Sequence, residues 1–105
     1  MLSVYFREIK LGELSFESGR YVYRAIPANV KKAHEKQYVT SIYGCDEDFV
    51  SNELPFAIAE FIPPAEIVDL NVMAGIMPTD TPYQKLCKMA SLDLAYENFY
   101  LKYED

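Results

Sequence analysis

No tryptophan occurs in these 105 residues, histidine occurs once, cysteine twice and glycine four times. Each scarcity removes a class of chemistry. A Ser-His-Asp triad or a Cys-His pair would have to use His34. That residue lies in Lys31-Lys32-Ala33-His34-Glu35-Lys36, a polar stretch that reads as exposed surface. A zinc site needs about four ligands at suitable spacing, and one histidine with the widely separated Cys45 and Cys87 does not supply them. Both cysteines read as free thiols in a reducing compartment. The glycines, at positions 12, 19, 44 and 75, form neither GxGxxG nor GxxxxGK, so no phosphate loop is expected. Asp46-Glu47-Asp48 lacks the glycine and the distal glutamate of a calcium loop. Among sixteen acidic residues some carboxylates will be close by chance, so hydrolytic pairs have a low prior. The expectation is a non-enzyme with no catalytic residue, cofactor or metal.

Long apolar runs are also missing, and none approaches the ~18 residues of a membrane span. The chain starts Met1-Leu2-Ser3-Val4-Tyr5 and meets Arg7 and Glu8 at once, unlike a secretory leader. A cytoplasmic location is expected. Basic residues are outnumbered ten to sixteen, for a net charge of −6. A surface so charged repels a phosphate backbone. Lys31, Lys32 and Lys36, with Arg24, form the one basic concentration, and it reads as a solvated face. Nucleic acid and membrane are therefore not expected as direct partners; a basic protein surface is.

Half of the residues are hydrophobic, and nine Tyr and six Phe supply the aromatic content. That is enough for one domain, residues 1–105, with a core of its own. Leu2, Val4 and Phe6 alternate along a first strand, and Leu14 and Phe16 face inward from a second, Leu11 to Glu17. Ser18-Gly19 marks a tight turn into Arg20-Tyr21-Val22-Tyr23-Arg24. Pro27 breaks the strand pattern, and Val30 to Lys36 reads as a short helical turn or a loop. Tyr38 to Tyr43 reads as a fourth strand.

From Leu54 the period becomes helical. Leu54, Ile58 and Phe61 share a face, and Pro55 places that helix's start near Asn52 to Leu54. Pro63 ends it, Pro64 opens a second helix with Ile67, Leu70 and Ala74 on one face, and Gly75 stops it. Thr81-Pro82-Tyr83-Gln84 carries the signature of a capping box and opens a third helix, with Tyr83, Leu86, Met89 and Ala90 as its stripe. Phe99, Leu101 and Tyr103 alternate along a last strand. The order β-β-β-β-α-α-α-β implies an α+β fold with a mainly antiparallel sheet and helices packed on one side.

Four segments carry a family likeness. Val4-Tyr5-Phe6, Leu11-Gly12-Glu13-Leu14 and Gly19-Arg20-Tyr21-Val22-Tyr23 resemble the strands that open the N-terminal subdomain of HipA-type toxin kinases. Leu54-Pro55-Phe56 through Phe61-Ile62-Pro63 is similar to that family's proline-opened helix and its "LLP" end. The likeness spans nearly the whole chain, but only that subdomain; the kinase core has no counterpart. It implies kinship with the small antitoxins (the HipS family) of tripartite HipBST systems. Their implied role is to bind and neutralise a HipA-like serine/threonine kinase, HipT, that lacks the subdomain. A HipB-like DNA-binding protein completes such systems.

The sequence places the candidate partner-binding site at the two-proline corner. Apolar Phe61, Ile62, Ile67 and Leu70, with Pro63, lie there beside acidic Glu60, Glu66 and Asp69, and Phe56 adds to the cluster. Stiff prolines lower the entropy lost on binding. A small ligand-binding domain using Tyr hydroxyls and carboxylates, or an adaptor subunit unrelated to toxins, remains the alternative.

Overall fold

The computed structural model describes residues 1–37, 44–92 and 98–104. In chain order the elements are β1 (Leu2–Phe6), β2 (Ile9–Glu17), β3 (Arg20–Ala25), α1 (Pro27–Gln37), β4 (Phe49–Ser51), α2 (Phe56–Ala59), α3 (Val68–Ala74), α4 (Pro82–Ala90) and β5 (Phe99–Tyr103). The strands form one antiparallel sheet in the order β4-β3-β2-β1-β5. The fold is α+β.

The meander forms where alternation and turn chemistry agree. Ser18 and Gly19 both take positive φ, 50° and 76°, the twist that a two-residue hairpin requires. Leu2 pairs with Leu14 and Tyr103, and Leu14 with Tyr23, so these side chains share one sheet face. That face is the floor of the core. Val30 and Ala33 of α1, Ile58 of α2 and Leu86 of α4 join Leu2, Val4, Leu11, Leu14, Tyr23 and Leu101 in one buried cluster. The opposite sheet face is polar and aromatic. Tyr5 stacks on Tyr100 with centroids 5.2 Å apart, Lys102 lies over the Tyr5 ring, and Lys10 pairs with Glu13 at 2.8 Å.

Gly12 shows how tightly the floor is packed. A Cβ placed there would lie 2.5 Å from the Tyr23 hydroxyl and 2.5 Å from the Arg24 carbonyl oxygen. The Tyr23 ring therefore crosses the space that glycine leaves empty, and its hydroxyl donates to the Cys45 carbonyl at 2.8 Å.

Four elements depart from the expected pattern. Pro27 does not merely end β3; it opens an eleven-residue helix, whose Val30 and Ala33 are buried. The expected strand Tyr38 to Tyr43 lies outside the described residues. A strand not anticipated, β4, pairs with β3. The helix expected to start near Asn52 to Leu54 begins at Phe56, because Pro55 is extended (ψ 145°) and stands before the first turn. Likewise Pro64 makes only a turn, with the Ile67 amide donating to its carbonyl, and α3 begins at Val68.

α4 forms as its signature predicts. The Thr81 hydroxyl accepts from the Gln84 amide at 3.2 Å, and the Gln84 side chain accepts from the Thr81 amide at 2.8 Å. Thr81→Ala is expected to cost about 1 kcal/mol, measured by urea denaturation. Thr81→Ser should recover most of that loss.

Candidate functional site

The expected corner divides between core and surface. Phe61 and Ile62 are half-buried against the core cluster, with the Phe61 ring 5.9 Å from that of Phe99, and Pro63 is buried. Glu60, Glu66 and Asp69 are exposed, Ile67 is 47% exposed and Leu70 is half-buried. The corner thus has an inner side that anchors it and an outer side made of carboxylates and Ile67.

The surface then continues along α3. This helix buries no residue, yet it is rich in apolar side chains. Val68, Val72 and Met73 are exposed, Val72 to 74%, and Met77 follows just beyond the helix. Val68 and Val72 are four apart and so lie on one face. With Ile67 they make an apolar ridge on the surface of an acidic protein. Scattered exposed apolar residues are ordinary, but five along one short segment make this the candidate contact surface.

Polar clamps hold the ridge where burial does not. The Asn71 side-chain amide donates to the Ile67 carbonyl at 2.7 Å and to the Pro64 carbonyl at 3.0 Å. At the other end Gly75 is left-handed (φ 73°), and the amides of Gly75 and Ile76 donate back to the Val72 and Asn71 carbonyls. Lys88 of α4 reaches across to the Gly75 carbonyl at 2.9 Å and pairs with Asp80. Asp80 also accepts from the Met77 amide at 2.8 Å, and the Lys88 ammonium holds its carboxyl below the usual range. A groove of about 180 Å³ runs beside the ridge, lined chiefly by Pro63, Val68, Val72, Ile76, Met77 and Pro78.

The residues weighed for chemistry are occupied structurally. His34, expected at an exposed surface, is half-buried with Nε2 3.3 Å from an Asp46 carboxylate oxygen. Asp48 accepts from the Ala25 amide at 2.8 Å, which ties the acidic connection to the end of β3. Among the described residues no three of His, Cys, Asp and Glu come together as metal ligands, and no helix is long and apolar enough to cross a membrane.

Cys45 and Cys87 form no disulfide. Burial pushes the Cys45 thiol up to about 12, and burial also raises Cys87, which is only half-buried. A thiol titration of native protein should therefore show Cys87 reacting first and Cys45 only on unfolding. Burial likewise raises Tyr83, to about 12, and Tyr23 further. Groups whose folded pKa is raised stabilise the fold fully below their unfolded pKa and lose that contribution as pH climbs. Stability should therefore fall from about pH 9, where an unfolded thiol ionises, towards pH 12. Urea midpoints measured across that window check the sign.

Reasoning from sequence missed Val68, Val72, Met73 and Met77. The signal was present: α3 carries apolar residues all round, although a short helix can bury only one stripe. No protein-family model, curated protein or solved structure matches this chain.

Proposed function

We propose that this chain is a cytoplasmic, non-enzymatic antitoxin-like module that binds and neutralises a HipA-like serine/threonine kinase of the HipT kind, one that lacks the subdomain this chain resembles. The observation that carries the binding reading is the run of five exposed apolar side chains from Ile67 to Met77, along and beside a helix that buries no residue. The resemblance of Val4 to Phe6, Leu11 to Leu14 and Gly19 to Tyr23 to the opening of HipA-type kinases supplies the partner. Phe61, Ile62, Pro63 and Leu70 support the corner. Glu60, Glu66 and Ile67 make the contact together with the α3 ridge, and the carboxylates steer a basic surface towards it. A HipB-like protein joins through the kinase and supplies the DNA binding.

Co-expression tests the reading. A HipA-like kinase without this subdomain should arrest growth when expressed alone and lose that effect when this chain is present. Arrest that persists despite abundant folded chain would refute the antitoxin role.

One observation favours the small-ligand alternative. A hollow of about 270 Å³ lies between α4 and β5, lined by Tyr83, Cys87, Ser91 and Tyr103 among others. It is shallower than most ligand sites, and the Tyr83 hydroxyl already donates to the Leu14 carbonyl at 3.3 Å. Ligand-induced stabilisation by a small molecule, abolished by Cys87→Phe, would favour that reading over the antitoxin.

A further inference from the structure

The groove beside α3 has the dimensions and the charge of a recognition socket. Its volume, about 180 Å³, compares with the ~150 Å³ cavity that admits a benzene ring. Its walls are Val68, Val72, Ile76, Met77 and two prolines, with Asn71 and Lys85 the polar members. The Asn71 amide is engaged by two carbonyls, so it offers the occupant little. The wall residues sit on clamped backbone: the left-handed Gly75, the Asp80–Met77 hydrogen bond and Lys88 hold Ile76 and Met77 opposite Val72.

Charge selects the occupant. Asp80 and Lys88 are paired and cancel. Exposed Glu60, Glu66 and Asp69, each close in sequence to a lining residue, then outnumber Lys85, the one lysine among the described lining residues. These charges sum to a negative total, as do those of the whole chain. A second copy would bring the same carboxylates against one another, so self-association through this face is disfavoured.

Resting on the protein-binding reading above, we infer that the groove is a socket for one large apolar side chain, phenylalanine- or leucine-sized, presented by a lysine- or arginine-flanked segment of the partner. The apolar anchor fills the space between Val72 and Met77, and its basic flanks lie over Glu66 and Asp69. Specificity thus comes from a single buried anchor, and encounter from the surrounding carboxylates.

The probe is the peptide acetyl-Gly-Lys-Lys-Phe-Lys-Lys-Gly-amide, titrated into the full chain at low salt. The methyl signals of Val68, Val72, Ile76 and Met77 are followed by NMR. They are expected to shift and saturate with a dissociation constant of about 1 mM. Replacing the peptide's Phe by Ala, or its Lys residues by Glu, should weaken binding at least about tenfold. Val72→Asp, at an exposed position that leaves the core untouched, should do the same, with circular dichroism confirming the fold. Methyls that stay unmoved at about 10 mM probe would overturn the socket. So would equal binding of the Ala peptide, which would mean charge alone, or of the Glu peptide, which would mean no charge selection. Kinase binding is read separately. A chain that binds the kinase but not the peptide loses the socket and keeps the antitoxin reading. A chain that binds the peptide but not the kinase keeps the socket and loses the antitoxin reading.

Discussion

Gly12→Ala should destabilise the protein by about 3 kcal/mol and lower its melting temperature by more than about 10 °C. The added methyl would meet the Tyr23 hydroxyl and the Arg24 carbonyl oxygen, both at 2.5 Å. The first could swing aside only by giving up its hydrogen bond to the buried Cys45 carbonyl. The second is backbone of the neighbouring strand and cannot move without spreading the β2–β3 pair. Overpacking and the loss of that buried hydrogen bond therefore add together. Gly19 provides the control. It lies at a turn with φ 76° and open space around it, so Gly19→Ala should cost only about 1 kcal/mol of backbone strain. If the Tyr23 contact is the cause, Tyr23→Phe and Gly12→Ala should be far from additive, since both sever the same hydrogen bond. Equal effects at the two glycines would show that the close approach at Gly12 is not what matters.

The second large effect is on binding. Ile67→Asp with Val72→Asp should weaken kinase binding by at least about 100-fold, or about 2.7 kcal/mol. Both side chains are exposed, at 47% and 74%, so the double variant should fold and melt like the wild type. Two carboxylates placed in an apolar contact must be desolvated without a partner, a cost borne only in the complex. Ile62→Asp is the contrasting change. Ile62 packs against the core, so a carboxylate there should reduce stability first and binding only as a consequence. Comparing the three positions separates the outer side of the corner from the inner side that supports it.

How much was legible in the sequence depended on whether one residue had one role. Thr81-Pro82-Tyr83-Gln84 specifies a helix start by hydrogen bonds within four residues, and α4 begins there. Ser18-Gly19 specifies the hairpin just as locally. Proline was harder, because it stops a strand, opens a helix or sits before one with the same fixed φ. Pro27 opens α1, Pro55 stands outside α2, and Pro64 makes a turn that delays α3 to Val68. The three-residue β4 exists only because β3 offers it an edge, and three residues carry no readable period. The candidate site was half legible. Apolar residues beside carboxylates drew attention to Phe61 and Ile67, but burial then separated them: Phe61 faces Phe99 and Ile67 faces outward. Val72 and Met73 were overlooked because a helix is expected to hide its apolar stripe, and α3 does not.

Titration of a purified HipA-like kinase lacking this subdomain with the folded chain, followed by calorimetry, tests the central claim most directly. The expected result is a saturable one-to-one complex that weakens with added salt, disappears in the Ile67→Asp, Val72→Asp variant, and brings kinase activity down in proportion to occupancy. No heat of binding and undiminished activity at chain concentrations far above that of the kinase would contradict it.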